Sequence, residues 1–465
     1  MTSLLNNDTI VALATPHGAG AIAIIRLSGY DALKICNKVF KRKSKKGGDL
    51  LMQRAHTIHL GNIYDGEIEL DEVLVSLFFA PHSYTGENIV EISCHGSLYI
   101  QQQVLQLLIK NGARLANPGE FTLRAFLNGK LDLSQAEAVA DLISSNSATS
   151  HQVAMHQMRG GFSSKIKTLR ENLINFASLI ELELDFSEED VEFANREDLI
   201  SLIVSIQNVI QRLITSFDVG NVIKNGIPVA IVGKPNAGKS TLLNTLLSED
   251  RAIVSEIPGT TRDTIEDEVT IDGVLFRFID TAGIRDTSDA IESIGVAKTY
   301  EKIQQSFIII YMFDVREVTR AELELTLEEI KPKVAGSQMV IVGNKIDKED
   351  EAALKSEFSG IDDILFISAK HETNIDVLKY KLVKLFDNRT VNLTETVVTN
   401  ARHVEALHHT DTALAKVYDA LKQGVSGDIL AFELKNALHH LGLITGDITT
   451  DDLLSNIFSK FCIGK

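Results

Sequence analysis

Three cysteines in 465 residues, Cys36, Cys94 and Cys462, are too few and too scattered for a disulfide framework or a cysteine metal knuckle. Their scarcity fits a reducing compartment, and the cytoplasm is the expected location. No run of about 18 apolar residues occurs, so no membrane span is expected. The opening, MTSLLNNDTIVALATP, has no basic region ahead of an apolar stretch and does not read as a secretory signal. Positive charge is also short: 46 Lys and Arg stand against 63 Asp and Glu, a formal net charge of −17. A chain whose main work is gripping nucleic acid usually carries a basic footprint. Any contacts with RNA must then be local or come from a partner. The one basic cluster, Lys41-Arg42-Lys43 with Lys45 and Lys46, leads into Gly47-Gly48 and reads as a solvated loop.

What is present is ordinary for a globular protein, 44% hydrophobic and 23% charged residues. The length suggests about two to four domains. Residues 1–125 alternate β-rich runs such as Ile22–Leu27 and Val73–Phe79 with a helix-like span from Leu98 to Lys110, the pattern of a small α+β domain. Over 126–217 apolar residues recur at three- and four-residue spacing, predicting long amphipathic helices. Strands and helices alternate over 218–386 as in a doubly wound α/β sheet, and helical spacing returns over 387–465. Each helical piece alone would leave an apolar face bare. The economical architecture is one helical domain built from both pieces, with the α/β domain inserted between them.

The inserted segment carries the chemistry. Val229–Val232 reads as a buried strand feeding Gly233-Lys234-Pro235-Asn236-Ala237-Gly238-Lys239-Ser240-Thr241, a GxxxxGKS loop ahead of a helix. Glycines let backbone N–H groups turn toward phosphate oxygens, and the helix N-terminus adds partial positive charge. Lys239 brings a point charge to the β/γ-phosphates, and the Ser240 hydroxyl can ligate Mg2+. Asp280-Thr281-Ala282-Gly283 follows a strand ending at Ile279, where the carboxylate can hold Mg2+ through water and the glycine can sense the γ-phosphate. Gly259-Thr260-Thr261 reads as a switch segment whose threonine can reach the metal. Asn344-Lys345-Ile346-Asp347 offers a carboxylate to the N1–H and exocyclic amine of guanine, a pattern adenine cannot satisfy. Ser368-Ala369-Lys370 supports the guanine O6. Together these motifs specify a GTPase. Ile284 stands where small signalling GTPases place a water-orienting Gln, so another group must position the water or hydrolysis is very slow.

Over nearly its whole length the chain resembles the bacterial MnmE/TrmE family of tRNA-modification GTPases. The resemblance is carried by Asn7–Ala12, Ile25-Arg26-Leu27-Ser28-Gly29, Ser83-Tyr84-Thr85-Gly86-Glu87, Pro118–Leu133 and the terminal Phe461-Cys462-Ile463-Gly464-Lys465. It implies an N-terminal α+β domain that dimerises and binds folate, a helical domain, and the inserted P-loop GTPase. It implies a homodimer that works with an FAD-dependent flavoprotein, MnmG (GidA), and a one-carbon donor, 5-formyl- or 5,10-methylene-tetrahydrofolate. The expected product is an aminomethyl-type group at C5 of the wobble uridine of tRNA. Carried over residue by residue, folate would meet Arg26, Glu91, Lys130 and Lys465, with Cys462 near the chemistry. Taken alone, Arg26 is equally a strand-edge residue, Glu91 and Lys130 solvated faces, and Cys462 a small buried hydrophobe.

The resemblance also implies K+ between the phosphates, held by the Asn236 side chain and by Ser255, Ile257 and Thr260 in the nucleotide-contacting run Ser255-Glu256-Ile257-Pro258-Gly259-Thr260. Mg2+ would rest on Ser240 and Thr261, and Glu292 would orient the attacking water; alone, Glu292 reads as helix-surface solvation. Ala21 stands where the family commonly has glycine, and its Cβ is expected to tighten the loop near folate. The competing reading is a regulatory GTP switch for RNA-particle assembly with no modification role.

Overall fold

The computed structural model describes residues 8–43, 49–185, 195–250, 267–279, 306–333, 337–387 and 396–465. Met1–Ile143, His156–Gln207 and Ala406–Lys465 cluster as one compact unit, and Ser144–Met155 with Asn208–Glu405 as another.

The first unit opens with β1 (Ile10–Leu13), β2 (Ile22–Ser28), α1 (Ala32–Val39), β3 (Phe40–Arg42), β4 (Thr57–Asp65), β5 (Ile68–Phe78), β6 (Ile89–His95), α2 (Leu98–Lys110) and β7 (Arg114–Leu115). The strands form one sheet in the order β3-β4-β5-β6-β2-β1-β7, antiparallel except for the β1–β7 pair. Alternation drives it: Val73, Val75 and Leu77 point to the buried side with Ile25, Leu27, Val90 and Ile92, and Val104 and Leu108 of α2 cap them. The register sets Arg26 opposite Glu91 and Ile22 opposite His95. One expectation is corrected here. Lys41 and Arg42 belong to the edge strand β3 rather than to a solvated loop; Lys41 lies over the Tyr64 ring and Lys43 pairs with Glu72. Charged side chains on an edge strand discourage pairing with a further strand. Ala21 is solvent-exposed.

Helices follow: α3 (Glu120–Leu127), α4 (Leu133–Ser144), α5 (Ala148–Met158), α6 (Gly161–Asp185) and α7 (Arg196–Asn225). By length and composition alone α7 could cross a membrane. Its buried positions, Leu199, Ile203, Ile206, Ile210 and Leu213, instead follow a helical stripe. The helix continues beyond residue 217, where the sequence pattern changes, because Val219, Val222 and Ile223 keep the helical spacing. Gly226, with φ of +82°, ends it.

The second sheet is built from β8 (Ile227–Val232), β9 (Asp267–Ile271), β10 (Val274–Phe278), β11 (Ile308–Asp314), β12 (Gln338–Asn344) and β13 (Ile364–Ile367). Helices α8 (Lys239–Asp250), α9 (Arg320–Ile330), α10 (Glu351–Glu357) and α11 (Ile375–Asp387) accompany it. The order is β13-β12-β11-β8-β10-β9, parallel except for the β9–β10 hairpin. β11 is buried along its whole length, which is why it reads as a continuous apolar run.

The chain ends in α12 (Ala401–Gln423), α13 (Gly427–Thr445) and α14 (Asp451–Phe458). Within the first unit α13 packs along α6 and α14 against α3. Leu133, Ala136, Leu454, Phe458 and Phe461 form the small core that anchors the C-terminal tail.

Candidate functional site

In the α/β unit, the loop after β8 opens onto the carboxyl ends of β11 and β12, where open parallel sheets bind ligands. Gly238 has φ of +100° and leaves no room for a Cβ against the Asn344 amide. The Lys239 ammonium folds over the loop, donating to the carbonyls of Gly233 and Lys234 at 2.9 Å each. Ser240 and Thr241 fall in the first turn of α8, so the helix N-terminus faces the loop. Asn236 sits exposed in the left-handed region, φ +62°, and its side chain bonds to no described residue.

The base-reading segments are tied to this loop by one buried amide. Asn344 Nδ2 donates to the Ala237 carbonyl at 2.8 Å, and its Oδ1 accepts from the Ala369 N–H at 3.0 Å. Thr245 on α8 donates to the Ala369 carbonyl at 2.9 Å. The Ser368 hydroxyl donates to Asp347 Oδ1 at 3.1 Å. Asp347 is exposed, and a backbone hydrogen bond, with lesser help from Ser368, holds its carboxyl below the ordinary aspartate value. It is therefore an acceptor at neutral pH, as guanine recognition requires. Lys345 takes φ of +72° and its ammonium lies 2.7 Å from Asp314 Oδ2. Lys370 is exposed.

Asp314 was not singled out by the sequence reading. Burial would raise its carboxyl, but hydrogen bonds from Arg316 and Lys345 outweigh burial and hold it below the usual range. The available signal was its position at the carboxyl end of an apolar strand beside β8. Ser255, Glu256, Ile257, Pro258, Gly259, Thr260, Thr261, Asp280, Thr281, Ala282, Gly283, Ile284 and Glu292 lie outside the described residues.

The first unit holds a second constellation. Arg26 Nε donates to Glu91 Oε1 at 2.8 Å, and NH2 approaches the same oxygen at 2.7 Å. The guanidinium lies 5.7 Å from the centroids of both the Tyr84 and Phe121 rings. Tyr84 is fixed by a 2.9 Å bond between its hydroxyl and that of Thr122. The Phe121 N–H donates to the Lys465 carbonyl at 3.2 Å, and the Gly119 N–H to that of Cys462 at 3.4 Å. The C-terminal tail is thus brought to the aromatic shelf beneath Arg26. Lys130 runs along the Tyr84 loop: a Cβ on Gly86 would sit 3.3 Å from Lys130 Cε. Cys462 is exposed, which excludes the buried-hydrophobe reading, whereas Cys36 and Cys94 are buried thiols pushed up to about 12 and about 11.

Beneath the shelf lies an ion network that sequence reading missed. Arg124, 5% exposed, meets Asp8 at 2.7 Å, Glu120 at 3.0 Å and Glu87 at 3.2 Å. Arg114 bridges the same Asp8 and Glu120, at 2.6 and 2.5 Å. Glu87 also accepts from the Ser28 hydroxyl at 2.7 Å. The segments Asp8–Ala12, Ser83–Glu87 and Pro118–Leu133 are far apart in the chain, and this network is where they meet.

A family model described as GTP-binding protein TrmE N-terminus matches residues 9–130, and one described as MnmE helical domain matches residues 133–462. A protein named tRNA modification GTPase MnmE from Christiangramia forsetii is 58% identical, with 99% of each chain covered. Proteins of the same name from Flavobacterium psychrophilum and Cytophaga hutchinsonii are 56% and 57% identical, covering 99% and 100% of this chain and 100% and 99% of theirs. With identity at that level along the entire sequence, and a helical-domain match over most of it, the chain belongs to the MnmE (TrmE) family of tRNA modification GTPases.

Proposed function

We propose that the chain is a K+-activated GTPase that modifies tRNA as a cytoplasmic homodimer. With an MnmG (GidA)-type flavoprotein and a tetrahydrofolate one-carbon donor, it installs an aminomethyl-type group at C5 of the wobble uridine. The four-part division at residues 125, 217 and 386 is the domain plan we propose for it.

The observation that carries the GTPase mechanism is Asn236. It is presented at the turn of the phosphate loop with its neutral amide oxygen bonded to no described residue. An amide oxygen suits a weakly hydrated monovalent cation and adds no competing charge. A K+ ion held there, with Ser255, Ile257 and Thr260, would supply positive charge where other GTPases receive an arginine finger. Lys239, folded over the loop, would meet the β/γ-phosphates, and Ser240 with Thr261 would hold Mg2+. Glu292 is the proposed water-orienting group, a role left open by Ile284. Asp347, ionised and exposed, reads the guanine edge.

For folate, the Arg26–Glu91 pair over the Tyr84 and Phe121 rings offers an apolar shelf with one cation and one carboxylate at its rim. Glu91 can accept from the donor edge of a pterin, and Arg26, Lys130 and Lys465 can meet acyl or carboxylate oxygens. The exposed Cys462 thiol is held beside this shelf by the tail.

The deciding experiment is GTP turnover in K+ against Na+ at equal ionic strength. Turnover should rise steeply in K+, and Asn236→Lys should remove the difference. Equal rates in both salts overturn the cation mechanism. Titration with 5-formyl-tetrahydrofolate separates the modification role from a regulatory switch: an active GTPase that binds no folate is the latter.

A further inference from the structure

Beside Lys130 lies a cavity of about 290 Å3 whose walls come from the α3–α4 connection, α6 and the end of α13. Its polar lining is Lys130, Asp132, Gln135, Lys167, Thr445 and Asp447. We infer that this cavity binds the oligo-γ-glutamate tail of the tetrahydrofolate, an assignment that rests on the folate reading above.

Size comes first. The cavity falls just below the roughly 300–1,000 Å3 typical of sites that enclose a whole small molecule. It suits a stretch of chain rather than a second ring system. Position comes next. The Lys130 stem leans on Gly86, two residues from Tyr84, whose ring faces Arg26. Lys130 thus lines the cavity and runs along the loop that carries Tyr84, so a ligand whose head sits on the shelf would reach the cavity along it.

Charge decides the ligand class. Each of the two carboxylates is anchored through one oxygen and keeps acceptor capacity on the other. Asp132 Oδ1 accepts from the Ser134 hydroxyl at 2.8 Å and the Gln135 N–H at 3.0 Å. Asp447 accepts from the Thr445 hydroxyl at 2.6 Å and from Arg170. The cations are less well matched. Lys130 has no ion-pair partner among the described residues, and Lys167 reaches Asp132 only at 3.5 Å while remaining 54% exposed. Arg170 Nε, beside Asp447, is buried without a hydrogen-bond partner. A γ-glutamyl chain matches this mixture: its α-carboxylates meet the lysines and its amide N–H groups meet Asp132 and Asp447. A phosphodiester backbone offers acceptors only and would face both aspartates unfavourably.

The test is calorimetric titration of the full-length protein with mono- and pentaglutamyl 5-formyl-tetrahydrofolate. The pentaglutamate should bind roughly tenfold tighter, the effect of about one added charge-assisted contact. Lys167→Glu should abolish that preference while the monoglutamate Kd stays within about twofold, since one exposed surface charge has little effect beyond its own contacts. Lys130→Ala should weaken both ligands. Equal wild-type affinities overturn the tail site and leave the folate head site standing. No binding of either ligand overturns both readings. A tail preference that survives Lys167→Glu places the tail elsewhere. Loss of tRNA binding in Lys167→Glu with the tail preference intact makes the surface an RNA contact instead. Circular dichroism of the variant separates misfolding from lost contact, and Lys167→Gln repeats the test without charge reversal.

Discussion

Asn344 on β12 holds the carbonyl of Ala237 in the phosphate loop at 2.8 Å, so the residue that opens the base-reading motif also fixes the phosphate loop. Its second bond, from the Ala369 N–H, ties in the segment that supports the guanine O6. Asn344→Leu leaves a buried carbonyl and a buried N–H without partners, a cost of about 2–4 kcal/mol. Thermal denaturation should show that loss, and fluorescent GDP binding should weaken more than tenfold. Asn344→Asp sets a buried carboxylate oxygen against the Ala237 carbonyl, acceptor against acceptor, so it should destabilise at least as much as Asn344→Leu. A variant with native nucleotide affinity would show that the two loops hold their geometry without the staple.

The phosphate loop and base motifs were legible because their chemistry is local: a few residues at fixed spacing carry it. The strands around them were legible because a buried parallel strand such as β11 leaves an unbroken apolar run. What stayed hidden is what depends on distant residues meeting. Nothing in the run around Arg124 says that Asp8 and Glu87 lie within 3.2 Å of it. Nothing around Phe121 says that Lys465 accepts its N–H. The basic run Lys41–Lys43 misled for the same reason, since its edge-strand role depends on pairing with β4.

Asp347 should stay ionised down to acidic pH. Its carboxyl is held below the ordinary value, chiefly by a backbone hydrogen bond. Guanine binding through the ionised form should therefore be flat from neutral pH downward and fall only below the usual aspartate value of about 3.9. Asp347→Asn replaces an acceptor with an amide that also donates, so affinity should shift from GTP toward xanthosine triphosphate, whose purine carries a carbonyl in place of the amine. Competition binding with the two nucleotides reads the exchange, and an unchanged preference removes Asp347 from base recognition.

Arg26 and Glu91 separate stability from binding. Their ion pair is partly solvent-exposed, at 19% and 23%, and such pairs contribute about 1 kcal/mol or less. Arg26→Gln should therefore change the melting temperature little. Folate affinity should drop at least tenfold, while GTP turnover by the α/β unit stays unaffected. Equal folate affinity in wild type and variant would return Arg26 to an ordinary strand position.

Arg124 behaves oppositely. Burial opposes its charge, yet Glu87, Glu120 and Asp8 together raise its pKa. Arg124→Met strips Glu87 of its arginine and leaves Asp8 and Glu120 to Arg114 alone, and should destabilise by about 1–3 kcal/mol. Burial raises Asp8 and Glu120 as well, but the arginine bonds win and both are lowered. Carboxyls depressed in the folded state stabilise it above their unfolded pKa, and that contribution disappears as pH falls through the folded value. Wild type should thus lose stability steeply below about pH 4, near the unfolded carboxyl range. The Met variant should show a shallower acid slope, because Arg114 alone holds its carboxyls down less. Urea titrations across pH measure both slopes, and parallel slopes would mean that the network contributes no pH-dependent stability.

Gly464 isolates the tail. Its φ of +96° is one that side-chain-bearing residues rarely adopt, and a Cβ there would run into the Leu13 carbonyl. Gly464→Ala should lift Lys465 away from Phe121 and free Cys462 from its place beside Gly119, while leaving the α14 anchor of Leu454 and Phe458 in place. Alkylation of Cys462 should accelerate, folate affinity should fall, and GTP turnover should hold, since the phosphate loop belongs to the other unit. Deleting the last two residues should reproduce the folate defect. If alkylation accelerates while folate affinity is kept, the tail is a structural tether, and the one-carbon site is formed by the aromatic shelf and Arg26 without it.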